Sequence, residues 1–230
     1  MIHRSSLLLL ACGIVACCCS IGEAGHPATQ PDVRSAFAAL ADADAAVRDA
    51  ARDELMSLNS GKLTQLLSVV RESLPLQPAQ ASALKEIVTF IYLSGQPYEK
   101  TREGFLGIQM PREEDVAVVA TRLAGFPGVR YLQDGDIILD LQEAPLAPPV
   151  RQRAFSDAVR KFKAGQVIHL KILRHGQEMT VAVTLAPRPS LDPVAEQNEI
   201  DRLILQREQA AEQYWKETFA PLIQASAGQK

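Results

Sequence analysis

Gly104-Phe105-Leu106-Gly107-Ile108 opens the stretch that decides the fold. Leu132-Gln133-Asp134-Gly135-Asp136-Ile137-Ile138-Leu139 continues it. Ala164-Gly165-Gln166-Val167-Ile168-His169-Leu170-Lys171-Ile172-Leu173-Arg174-His175-Gly176 and then Val181-Ala182-Val183-Thr184-Leu185 close it. In the last segment Ile168, Leu170 and Ile172 alternate against Val167, His169, Lys171 and Leu173, the period of a strand with one buried face. His175-Gly176 turns the chain, and Thr180 to Leu185 returns as the hairpin partner. Phe105 to Met110 has strand character, Val116-Ala117-Val118-Val119 is a second strand candidate, and Ile137 to Leu141 is a third. Between these and the hairpin, Phe155, Val159 and Phe162 share one face of a short helix. Ala164-Gly165 ends it, with the glycine available for a left-handed cap. Gly135-Asp136 reads as a turn, glycine taking the unusual dihedral and aspartate bonding its own backbone.

Working outward, residues 32–95 carry three apolar stripes at helical spacing. The first is Val33, Phe37, Leu40, Val47, Ala51, Leu55 and Leu58, on two helices broken near Ala41-Asp42-Ala43-Asp44. Asp32 stands where a helix N-cap belongs. Leu63, Leu66, Leu67, Val70 and Leu74 form the second stripe, and Leu84, Ile87, Val88 and Ile91 the third, with Pro75, Pro78, Gly95 and Pro97 as breakers. These stripes predict a helical hairpin or small bundle. Residues 193–222 predict a C-terminal amphipathic helix. Its narrow seam of Ile200, Leu203, Ile204, Ala211, Tyr214 and Trp215 is interrupted by Arg207. Such a seam packs back on the molecule or pairs with another copy, giving self-association.

The three central motifs, at these spacings, resemble the PDZ domains attached to bacterial envelope proteases of the trypsin-like heat-shock class. The resemblance covers residues 100–189 and implies an α+β chain built round a PDZ-type, partly open β-barrel with one main groove helix. Asp42 to Ala51 also resembles, more weakly, the second helix of a HEAT-type helical repeat, with no second copy at a fixed period. A PDZ groove lies between a strand and a helix, and the bound peptide adds as an extra strand. Its loop turns successive backbone N–H groups toward the peptide carboxylate. Glycine is needed where that backbone takes positive φ. On this resemblance the N–H groups of Leu106, Gly107 and Ile108 face the carboxylate, and Phe105 and Ile108 wall the pocket for the last side chain. Ile108, Gln109 and Met110 begin the strand to which peptide adds. Val159 and Phe162 are the helix residues expected at the groove, without a decision on which faces groove and which core. The implied partners are protein C-termini or extended peptides, with a hydrophobic last residue.

Two segments depart from the family pattern. Gly125-Phe126-Pro127-Gly128-Val129-Arg130-Tyr131 replaces a small-residue turn, and Gln142-Glu143-Ala144 with Pro145-Leu146-Ala147-Pro148-Pro149 replaces an Asn-Gly turn. Both bear on ligand specificity rather than on the fold.

The rest of the chain narrows the function classes. Net charge is −3 and aromatics make up 5% of residues, so neither a basic footprint nor a base-stacking platform for nucleic acid is present. No serine-nucleophile, aspartic-protease, Walker-type or dinucleotide-binding segment occurs, and His169 and His175 have no His or Cys nearby in sequence. The expectation is a protein that is not an enzyme, with no cofactor and no metal. Residues 1–24 read as a signal peptide or lipoprotein leader. Leu7 to Ala16 is an apolar run of about ten residues, too short to span a bilayer. Gly22-Glu23-Ala24 offers small residues for a signal peptidase. Ile14-Val15-Ala16-Cys17 alternatively resembles a lipobox, making Cys17 the lipidation candidate. Leu9-Leu10-Ala11-Cys12 fits the box in letters but has fewer apolar residues before it. All four cysteines fall in this leader, so the folded part has no disulfide framework. Residues 25–31 read as a linker. The expected localisation is the bacterial cell envelope, exported to the periplasm, with any membrane attachment through the N-terminal lipid. Two functions compete: a PDZ adaptor that captures peptides by strand addition, and an envelope scaffold whose groove is occluded or vestigial and which assembles through its flanking helices.

Overall fold

The computed structural model describes residues 32–111, 116–190 and 196–227. The leader, the linker, the cysteines and Cys17 lie outside them. Helices and strands are both present, as an α+β chain requires. Helices α1 (Val33–Ala39), α2 (Ala45–Met56), α3 (Leu63–Glu72) and α4 (Pro78–Ser94) come first. Asp32 accepts a hydrogen bond from Arg34 N–H at 3.2 Å and Asp44 from Ala46 N–H at 2.9 Å. These caps start α1 and α2 and explain the break between them. The apolar stripes converge on one core containing Val33, Phe37, Leu55, Leu66, Val70, Leu84, Ile87 and Ile91. Val47, in the first turn of α2, is the exception at 38% exposed.

Strands β1 (Lys100–Phe105), β2 (Ile108–Gln109) and β3 (Thr121–Arg122) follow, then helix α5 (Pro127–Tyr131), β4 (Ile137–Leu141), helix α6 (Gln152–Arg160), β5 (Val167–Arg174), β6 (Gln177–Thr184) and β7 (Ala186–Pro189). The strands do not close into a barrel. They form three small sheets, ordered β1–β7, β2–β3 and β4–β5–β6. In β5 the alternation is complete: Ile168, Leu170 and Ile172 are fully buried while Val167 is 49% exposed. The β5–β6 turn has positive φ at both His175 (50°) and Gly176 (79°), the pair of dihedrals that matches hairpin twist.

Two local expectations are corrected. Val116 to Val119 forms no regular strand. Ala117 N–H donates to Val150 O (2.7 Å) while Val119 N–H donates to Asp136 O (2.9 Å), so this segment divides its backbone bonds between two neighbours and builds no continuous ladder. Gly165 does not cap α6, which ends at Arg160 with Lys161 as its C-cap in a right-handed conformation. Gly165 instead turns with φ 84° toward β5, its N–H donating to Leu185 O at 2.8 Å. Gly135-Asp136 is a turn, with Gly135 at φ 91° and Asp136 Oδ2 accepting from Gln133 N–H at 2.8 Å. Asp136 is also gripped by Arg174 through two contacts of 2.8 and 2.6 Å.

The C-terminal region is two helices, α7 (Glu196–Thr218) and α8 (Ala220–Ala227). Its seam packs back on the molecule. Tyr214 stacks on Tyr92 with centroids 4.4 Å apart, and Phe219, fully buried, joins the core of α1–α4. Ionic contacts tie that helical core to the strands. Arg52 bridges Glu86 (2.8 Å) and Val129 O (2.9 Å), Arg122 of β3 reaches Glu86 and Asp134, and Arg130 pairs with Asp53.

Candidate functional site

The groove grows from the glycine loop joining β1 to β2. Gly107 takes φ 69°, a conformation that L side chains rarely adopt. A Cβ there would fall 2.1 Å from Phe126 Cβ, so the loop backbone lies directly on the Phe126 side chain. The loop carbonyls point to fixed partners: Leu106 O accepts from Gly128 N–H at 2.7 Å and Gly107 O from Leu123 N–H at 2.8 Å. The N–H groups of Leu106 and Gly107 have no backbone acceptor among the described residues. Carbonyls tied down and amides left without a backbone acceptor are the arrangement a loop needs to accept an anion.

The departure at Gly125 to Gly128 therefore supports the loop from behind. A Cβ on Gly128 would meet Ile108 Cγ2 at 2.6 Å and Gly107 O at 3.0 Å. Phe126 also meets Phe105 edge to face, with centroids 5.0 Å apart.

Beyond the loop, β2 pairs with β3 along one edge, Ile108 opposite Arg122 and Gln109 opposite Thr121. Its other edge has no strand partner among the described residues and faces α6. Between them runs a groove of about 420 Å³. Phe105, Leu106, Gly107, Ile108, Gln109 and Met110 line one wall. Met110 lies just past the end of β2, and its carbonyl accepts from Gln152 Nε2 at 3.4 Å across the groove. Leu106 contributes backbone only, since its side chain is buried in the core of the strands.

On the facing wall the helix residues are Gln152, Phe155, Ser156, Val159 and Arg160. Of the two residues between which the sequence left the choice open, Val159 lines the groove and Phe162 packs on the core. Phe162 follows the end of α6 and lends its carbonyl to Gly104 N–H at 2.7 Å. Helical spacing from Val159 back through Ser156, Phe155 and Gln152 carried the signal for the missed residues. Arg188, Ile200 and Asp201 also line the groove, and nothing local in the sequence marks them, because β7 and α7 reach the site only through tertiary packing. Arg188 lies 6.0 Å from the Phe105 ring and 3.8 Å from Glu103. Burial, then the charge of nearby Arg160, pulls its guanidinium below the usual arginine range while Glu103 pulls it back. Arg160, Arg188 and Asp201 thus bring charges of both signs to the groove lining.

Among the described residues, no three His, Cys, Asp or Glu side chains come together in a way that could hold a metal, and no helix is long and apolar enough to cross a membrane. No protein-family model matches the chain, and no curated protein matches it. Solved structures do. HtrA-type proteases are among them. The protease AlgW with a decapeptide is 24% identical over 48% of this chain and 36% of its own, with a TM-score of 0.34. AlgW with a tripeptide is 25% identical over 49% of this chain and 39% of its own, with a TM-score of 0.34. A serine endoprotease from Yersinia pestis is 24% identical over 49% and 36%, with a TM-score of 0.33. The chain thus spans less than two thirds of the length of these proteases.

Proposed function

We propose that this chain is a PDZ-type peptide-binding adaptor, not an enzyme, that captures a protein C-terminus or an extended segment by strand addition to β2. The observation that carries this reading is the pair of amides, Leu106 and Gly107, that have no backbone acceptor among the described residues and stand at the end of a strand edge with no strand partner among them. A peptide carboxylate satisfies the amides, and its backbone pairs with the edge. Phe105, Ile108, Phe155 and Val159 supply an apolar wall for a hydrophobic last side chain. The leader read in residues 1–24 extends the proposal to export into a bacterial envelope, with lipid on Cys17 or a released N-terminus as the two forms.

The test is titration of the full chain with peptides ending in Leu, Val or Phe, each as free acid and as amide. Micromolar binding that needs the free carboxylate, and that Ser156→Trp abolishes by filling the groove, supports the reading. Equal binding of acid and amide, or none by a folded chain, contradicts it. A second reading, a groove closed by the chain's own α7, is favoured by Ile200 and Asp201 on its rim. Ile200→Ala then raises peptide affinity, whereas a simple wall residue lowers it.

A further inference from the structure

Phe126, which supports the loop, is itself held by a residue from the other end of the chain. Arg207 of α7 is only 7% exposed although it carries a full charge. Its Nη2 donates to Leu93 O at 2.8 Å, while its Nε and Nη1 have no hydrogen-bond partner among the described residues. Such burial is costly unless something replaces water around the cation. Two aromatic faces do so: the guanidinium lies 5.0 Å from the Phe126 ring and 5.2 Å from the Tyr98 ring. Gly125 makes room for it, since a Cβ there would sit 2.8 Å from Nη2.

Both rings lead to the same loop. Phe126 lies against Gly107 and meets Phe105 edge to face. Tyr98 donates from its hydroxyl to Pro187 O at 2.8 Å, and Pro187 pairs with Gly104 in the β1–β7 sheet. Meanwhile the far end of α7 is anchored on the helical core through Tyr214 and Phe219. A purely packing role needs no cation here, because an apolar side chain of this length fills the site without burying two guanidinium nitrogens that lack an acceptor among the described residues.

We propose that Arg207 is a positioning residue of the groove, through which the C-terminal helix holds the 104–108 loop ready for a carboxylate by clamping Phe126 and Tyr98. The proposal rests on the peptide-binding reading and makes α7 part of the site. Arg207 touches no ligand; it acts through the two rings.

The test uses the full chain carrying Arg207→Met, which keeps the apolar stem and loses the cation, and Arg207→Lys. Each is titrated with peptides ending in Leu, Val or Phe, as free acid and as amide. The expected result is a preference for the free acid that falls about tenfold in Arg207→Met, the equivalent of one weakened ionic hydrogen bond. Affinity for the amide stays unchanged, and Arg207→Lys recovers part of the preference. A folded Arg207→Met chain with the wild-type preference overturns the proposal. A readout independent of peptide is the backbone amide resonances of Leu106 and Gly107 in the free protein, which move in Arg207→Met and hold still if the clamp is absent. Amides that move in Arg207→Met, with a wild-type chain that binds no peptide, overturn the peptide reading alone. If Arg207→Met does not fold, Arg207→Lys carries both comparisons.

Discussion

Gly107 and Phe126 stand back to back: the Cβ that any other residue would carry at 107 falls 2.1 Å from Phe126 Cβ. The glycine therefore serves the support behind the loop, and a side chain at 107 points into Phe126 rather than into the groove. Gly107→Ala costs about 2–4 kcal/mol, from left-handed strain plus overpacking. Removing the obstacle relieves the second part. In a double-mutant cycle, Gly107→Ala combined with Phe126→Gly, which removes the Cβ in the way, destabilises by less than the sum of the two single changes, as measured by urea unfolding. Strict additivity would show that the contact does not hold the loop.

Asp136 and Arg174 make the buried ion pair of the strand region, with Asp136 1% and Arg174 18% exposed. Removing one partner leaves the other charge buried. Asp136→Asn accordingly costs about 3–5 kcal/mol, and changing both residues to apolar ones costs less than changing either alone. The pair lies outside the groove, so peptide preference in the folded fraction is unchanged. Unfolding curves and peptide titration of the same samples check both statements.

These two sites show what was legible in advance. Gly107 and Gly135-Asp136 stand out because backbone conformation leaves a mark on residue type. The alternation through Ile168, Leu170 and Ile172 was equally plain, because a sheet with one buried face imposes a period of two. Val159 and Phe162 could not be told apart as groove or core residue because both continue the apolar face of α6. The helix stops at Arg160, and past that point helical spacing no longer says where a side chain lies. Arg207 read as an interruption of an apolar seam. It belongs to the buried face because Tyr98 and Phe126, far away in sequence, receive its charge. Ile200 and Asp201 reach the groove through helix docking, which leaves no local pattern.

Tyr98 makes the clamp sensitive to alkali. Burial raises its hydroxyl above the ordinary value of 10.0, partly offset by the charge of Arg207. Below that value Tyr98 is neutral in both folded and unfolded chains, and its contribution to stability is complete. As pH rises beyond 10.0, the unfolded chain releases the proton first, so stability falls until the folded group also ionises. Thermal melts of Tyr98→Phe show a shallower alkaline decline than wild type. Identical slopes would mean that Tyr98 does not couple folding to pH.

The most direct measurement of the central claim is a titration followed by backbone amide resonances, with one peptide ending in Val as free acid and then as amide. The account predicts that the free acid moves Leu106 and Gly107 strongly, with Ile108 and Gln109 following as the strand pairs, while the amide leaves Leu106 and Gly107 nearly unmoved. Binding that shifts other residues and spares Leu106 and Gly107, or that shifts them equally with acid and amide, would contradict it.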